Sequence, residues 1–321
     1  MHHHANVRWR RYHGSNSPHY PHKGLPGDDK RVVIAIVEGR KLRGRALDSL
    51  GKLPPFSPIL NRLLASLARE DISFIRLADI IEKDTVLAGN VLRLVNSALY
   101  GRRATVNSVR HAVSLLGINK LRNATLSMSV TRLWNQVRMP RGWSMAKFNL
   151  HSVANAMLSD AISQAAPVEY AEGAFAAGLF ADLGRLLIAL ALPDEHEQIR
   201  GLCTSKRFSR CECEMEVFGF THAELSADAL EIWNLPEEIR EAVLHHHTVY
   251  DEPSGEDGVR LSTVVRTTDL YVNAIGYPTD KLDEGPVDAA MAQLEMFGLG
   301  ERLGTVIEEF LVEFNGIRAM F

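Results

Sequence analysis

From Leu47 onward the apolar residues of this chain recur at three- and four-residue steps, a period that commits it to helices packed on helices. Phe56, Ile59, Leu60, Leu63, Leu64 and Leu67 make one stripe on a helix expected to begin near Pro58, with Pro54 and Pro55 delimiting its start. Ser73 is placed to cap a second helix carrying Ile75, Ala78, Ile80 and Ile81. Asp84 or Thr85 can cap a third, which runs through VLAGNVLRLVNSALY to Gly101. Ser108 opens a short helix ending at Gly117, and a longer one follows from Asn119 to Trp134. Five helices with short links are the pattern of a compact bundle.

Pro140 and Gly142 in RMPRGW (138–143) interrupt that pattern and read as a joint between two helical subdomains. Helices are expected again over 144–165, 169–191, 195–205, 210–218, 221–233 and 236–247. After the polar loop DEPSGEDG, one more spans 260–275 and two lie between 286 and 314. Only Arg31 to Val37 (RVVIAIV) reads as a strand, and nothing downstream would pair with it as a sheet. The division that follows is a basic, flexible leader (1–46), an N-terminal helical subdomain (47–137), a second helical subdomain (138–250) and a C-terminal helical extension (251–321).

The longest apolar run, Gly178 to Leu192, is broken by Asp182 and Arg185, and the opening MHHHANVRWRRYHG has no apolar signal core. A cytoplasmic protein without a membrane segment is the expectation. Residues 1–45 carry ten Lys or Arg against three Asp or Glu, a balance of +7 within a formal net charge of −3. In a His-, Arg-, Pro- and Gly-rich segment this charge reads as a solvated leader rather than a nucleic-acid arm. Cys203, Cys211 and Cys213 are an odd set in one stretch. Neither a disulfide framework nor, with His196 added, a common structural-zinc spacing results.

Several segments occur together and in order: KLPPFSPILNRLLASL, LADIIEKDTVLAGNVLRLVNSALYG, SVRHAVSLLGINKLRNATL, AEGAFAAGLFADLGRLLI and FGFTHAELSADALEIWNLPEEIREAVLHHH. Jointly they resemble the HDOD (HD-related output domain) family over about residues 48–250. The resemblance implies an all-α fold in two helical subdomains, related to the HD phosphohydrolases. It also implies a regulatory role in bacterial signal transduction, with signalling proteins such as cyclic-dinucleotide turnover enzymes or response regulators as partners, and no cofactor.

HD enzymes surround a divalent metal with a histidine, an adjacent His-Asp pair and a distant aspartate, donors that suit Mn, Fe, Zn or Mg. On this sequence the resemblance places the first histidine at His151, the pair at Ala181 and Asp182, and the distant aspartate at Asp269. Alanine stands where an imidazole belongs, so a non-catalytic, metal-free module is the first expectation. The alternative keeps a metal on His151, Asp182 and Asp269, with His222 or His246 as substitute donor, to hydrolyse nucleotides or cyclic dinucleotides. A sensor that binds a cyclic dinucleotide without turnover is a third reading. His222 and His245 to His247 match pocket-lining positions, although consecutive helical side chains point about 100° apart and cannot all face one site.

Plainer roles stand beside these. His151 can be a packed helix histidine, Arg185 three residues on can neutralise Asp182, Arg266 can pair with Asp269, and His222 follows Thr221 at a helix start. Arg102 and Arg103, with Arg110, Lys120 and Arg122, form a basic strip open to anionic partners. Asn96 and Ser97 suit hydrogen bonds to nearby backbone, Gly178 and Gly184 suit close helix packing, and Trp233, Leu235 and Pro236 suit an anchored turn.

Overall fold

The computed structural model describes residues 29–67, 73–96, 105–206, 208–250 and 258–321, with side chains described from residue 37 onward. Arg102, Arg103 and Ser97 lie outside the described residues, as do residues 1–28. Among the described residues the chain is helical and the one β-type contact is an isolated bridge between Val168 and Val259.

The helices are α1 (Asp29–Asp48), α2 (Pro58–Leu67), α3 (Phe74–Glu82), α4 (Thr85–Val95), α5 (Val109–Leu116) and α6 (Ile118–Trp134). They continue as α7 (Met145–Ala165), α8 (Ala174–Phe180), α9 (Leu183–Ala191), α10 (Pro193–Lys206), α11 (Arg210–Phe218), α12 (His222–Ile232) and α13 (Glu237–Leu244). The C-terminal helices are α14 (Leu261–Ala274), α15 (Val287–Glu295) and α16 (Glu301–Ile317). Local chemistry sets many of these starts. Ser73, Ser108 and Ser144 each accept a backbone N–H of the first turn, and Asp84 accepts two. Thr221 and Ser209 form reciprocal capping boxes with Glu224 and Glu212. The α2 stripe is buried through Ile59, Leu60, Leu63, Leu64 and Leu67, while Phe56 meets Trp233 edge-on with ring centroids 4.8 Å apart.

Two expectations are corrected. RVVIAIV is not a strand: it lies inside α1, which runs on through EGRKLRGRALD. The β preference of Val and Ile is worth only tenths of a kcal/mol per residue, and packing of α1 against α9, α11 and α12 outweighs it. The part of the leader from Asp29 to Ala46 is therefore ordered helix, tied down by Arg43 to Asp228 at 2.7 Å. The stretch 169–191 is likewise not one helix, because the chain breaks at Ala181–Asp182 between α8 and α9. Ala171–Ala191 has the length and apolarity to cross a membrane, yet 94% of that window is buried inside the fold.

α7 is the axis of the second half, packed by α8, α14 and α16, while α12 lies along α9 and α13. Glycines permit two of these close approaches. A Cβ at Gly178 would lie 2.8 Å from the Ala156 Cα, and one at Gly184 would lie 2.1 Å from the His222 carbonyl oxygen. A single apolar core, centred on Trp134, Phe148 and Phe180, runs through α2–α6 and α7–α14 alike.

Candidate functional site

The break at Ala181–Asp182 turns the Asp182 carboxylate into the interior, and Ser226 of α12 fixes it there. The Ser226 hydroxyl donates to the Ala181 carbonyl at 2.8 Å and accepts the Gly184 N–H at 2.7 Å. Around Asp182 converge His151 from α7, Asp269 from α14, His222 from the first turn of α12 and Arg185 from the first turn of α9. Each of these side chains is no more than about a tenth exposed.

His151 Nδ1 donates to the Tyr277 carbonyl at 3.0 Å, which can only accept. Its Nε2 lies 3.0 Å from Asp269 Oδ1 and 3.4 Å from Asp182 Oδ2, so facing two carboxylates it too needs a proton. Burial opposes that charge, but Asp269 and Asp182 outweigh it and the ring titrates above its ordinary value. His222 is built the same way: Nδ1 sits 2.7 Å from Glu214 and Nε2 3.3 Å from Asp182 Oδ1. Against the cost of burial, Glu214 and Asp182 push it up to about 9. Burial alone would raise Asp182; Arg185, at 3.0 Å, and the two imidazoliums instead hold it well below the usual carboxylate range.

Arg185 spans two carboxylates, reaching Asp182 Oδ2 and, at 2.6 Å, Asp283 Oδ2. Asp283 in turn faces Arg210 at 3.5 Å. Thus Asp182, Glu214, Asp269 and Asp283 are matched by Arg185, Arg210, His151 and His222, and the buried cluster is neutral on its own groups. Such balance is what a low-dielectric interior requires.

The structure brings together His151, Asp182, His222, Asp269 and Arg185, with Ala181 buried at the break. His246 is fully buried; its Nδ1 donates to the Val243 carbonyl at 2.6 Å, and its Nε2 has no hydrogen-bond partner. His247 is more exposed, yet its Nε2 lies 2.9 Å from that of His222. His245 points elsewhere, to Glu241 at 3.4 Å. The expected Arg266–Asp269 pairing does not form: Arg266 bonds Gln293 at 3.1 Å and Asp269 turns to His151 and Asn273. Nor does His222 act merely at a helix start, since Thr221 does the capping. The described members of the basic strip are separately engaged, Arg110 with Asp79 and Lys120 with Glu313, while Arg122 is partly buried beside Asp160. Asn96 binds the Leu92 and Val106 backbone.

Glu214, Asp283 and Arg210 were not legible beforehand. Glu214 lies in the alternating run CECEME and Asp283 in a polar turn, and only the fold carries them to the cluster.

The residues offer two corners to the metal that the HD relationship implies. His151, Asp182 and Asp269 do not fit a catalytic cation, because the Ala181 methyl supplies no donor and the Arg185 guanidinium already holds Asp182 Oδ2. Asp182, His222, His246 and His247 offer a second corner, where a donor atom from each lies within 4.8 Å of the others and Asp182 Oδ1 is clear of Arg185; an ion there would replace the proton on His222 Nε2.

Beside the cluster, His196 packs on Trp143 with ring centroids 5.8 Å apart and faces Arg210, Arg185, Arg200 and Asp280. Burial first, then the three guanidiniums, draw it down to about 4. A base with a depressed folded value stabilises the fold above its unfolded value, about 6.5, and that contribution is lost as pH falls toward 4. Urea titrations at pH 7.5 and 4.5 should show His196→Asn losing about 2 kcal/mol less on acidification than the wild type, a figure reduced for the ring's partial exposure. Equal pH slopes for the two proteins would count against this reading of His196.

A curated protein of Treponema pallidum (strain Nichols), itself uncharacterized, is 22% identical over 234 residues, which is 70% of this chain but 43% of that protein. The chain thus spans less than half the length of this relative. An HDOD domain protein of unknown function from Geobacter sulfurreducens superposes with a TM-score of 0.67 at 22% identity, over 88% of this chain and 99% of that one. A candidate signal-transduction protein from Marinobacter aquaeolei VT8 does so with a TM-score of 0.65 at 19% identity, over 88% of this chain and 66% of that one. At these identities the likeness is one of fold. The model of the HDOD domain matches residues 53–249, well over half of the sequence, and the chain belongs to the HDOD family.

Proposed function

We propose that this protein is a non-catalytic regulatory module of signal transduction, acting through contact of its exposed helical faces with other signalling proteins. The observation that carries the reading is the Arg185 guanidinium on Asp182. A phosphohydrolase would spend that carboxylate on a metal that activates water. Here it is neutralised by an arginine whose second arm is anchored on Asp283, beside an alanine in place of the imidazole donor.

A second reading is favoured by the partnerless His246 Nε2: the Asp182, His222, His246 and His247 corner holds a divalent ion. Those four side chains would hold the ion, which would brace α9 and α12 against the end of α13. That reading is compatible with the absence of turnover.

Both are tested on the purified full chain by metal analysis and by assays with bis(p-nitrophenyl) phosphate and cyclic dinucleotides in the presence of Mn, Fe or Zn. The expected result is no hydrolysis above buffer whatever the metal content. Hydrolysis that requires stoichiometric metal and disappears in Asp182→Ala would overturn the regulatory reading in favour of a phosphohydrolase.

A further inference from the structure

Away from the charged cluster, α6, α7 and α16 line an open pocket of about 270 Å³. Leu94 of α4, Leu116 of α5, Phe175 of α8, and Phe310 and Ile317 of α16 supply apolar lining. α16 is clasped over it by Lys120 of α6 and Glu313. An apolar cavity of about 150 Å³ holds a benzene ring, so this space has room for a second ring.

Its lining is mixed: Lys120, Gln164, Arg302, Glu309 and Glu313 are polar or charged and reach solvent, while two polar side chains are buried. Asn123 and Ser127, adjacent turns of α6, are 4% and 1% exposed and line the pocket, and neither Asn123 Oδ1 nor Ser127 Oγ has a hydrogen-bond partner. Burial raises the Asp160 carboxyl to about 6, against Arg122, Lys120 and the Asn123 and Gln164 side chains, which lower it. Asp160 also lines the space, held by the Gln164 amide at 2.7 Å. Buried acceptors without donors are unfavourable unless something donates to them. Here the Asn123 oxygen and the Ser127 hydroxyl line the pocket without a partner, and the Asp160 carboxylate lines it as well.

We propose that this pocket is a binding site for a small planar compound of one or two rings that carries N–H donors, an aromatic amine or amino-heterocycle. The rings lie between the apolar walls, and the N–H groups donate to Asn123 Oδ1 and the Asp160 carboxylate. No residue of the Asp182 cluster takes part, so the site stands or falls independently of the function proposed above.

The test is isothermal titration of the full chain with 2-aminobenzimidazole, using quinoline as a ring of similar size without an N–H. Saturable one-to-one binding of the amine is expected, at least about tenfold tighter than quinoline, the difference one unmet hydrogen bond makes. Ser127→Leu, which fills the pocket, should weaken the amine at least about tenfold. Asp160→Asn keeps the shape and removes the charge, so it should weaken the amine while leaving quinoline unchanged. Absence of saturation, equal affinity for both probes, or unaltered amine binding in Asp160→Asn would overturn the proposal. Asp160→Asn carries the test alone should Ser127→Leu fail to fold by circular dichroism.

Discussion

Replacing Arg185 with alanine should destabilise the protein by about 3–5 kcal/mol, the range seen when one partner of a buried ion pair is removed. The large figure follows from what is left behind. Asp182 would keep His151 and His222 but lose its guanidinium, and Asp283 would keep Arg210 at 3.5 Å and the Asp280 N–H at 3.2 Å. Asp182 cannot turn to solvent, since it is 4% exposed and sits at the break between α8 and α9, pinned on both sides by Ser226. Chemical denaturation at pH 7 reads the loss directly. If the guanidinium stands where a cation would otherwise be needed, millimolar Mn or Zn should restore part of the stability in Arg185→Ala and do less in the wild type. A variant as stable as the parent would show that the cluster is not held by this arginine.

Gly184→Ala should cost roughly 3 kcal/mol or more, at the upper end of what overpacking ordinarily does. The new Cβ would meet the His222 carbonyl oxygen at 2.1 Å and the His222 Cα at 3.0 Å. Both are backbone atoms in the first turn of α12, so no rotamer change relieves the overlap and the helix itself must move. His222 moves with it, and its contacts with Glu214 and Asp182 stretch. Thermal unfolding should fall by several degrees, at about 2–4 °C per kcal/mol for a chain of this size class. The His222 ring, monitored by NMR titration, should titrate below its parent value. An unaltered melting curve would mean that α9 and α12 are less tightly apposed than described.

How much of this could be read beforehand depended on how local the cause was. Caps are local: Ser73, Asp84, Ser108 and Thr221 start helices because a side-chain oxygen meets an N–H two or three residues on. The α2 stripe and the two packing glycines were legible for similar reasons. The strand expected at RVVIAIV failed because β-branched residues bias a backbone only weakly, and the deciding contacts come from helices far along the chain. The break at Ala181–Asp182 was hidden because apolar residues flank it on both sides, so periodicity gives no sign of an end. At the site, the sequence named His151, Asp182, His222 and Asp269 as one constellation and Arg185 as a neighbour on the helix. It could not name Glu214 or Asp283, whose partners are set by tertiary approach, and it paired Asp269 with Arg266 when the inward face of α14 belongs to His151.

The family match begins at residue 53, yet α1 ends at Asp48 and is seated on α9, α11 and α12. Ala46 is wholly enclosed, and the Gly39 backbone is pressed against the carbonyl of Phe218, leaving no room for a methyl group. A fragment cut at the family boundary would therefore lay bare a stripe of core and invite self-association. The packed unit of this protein starts upstream of the residues the family model matches, and a fragment cut there would be an opened molecule.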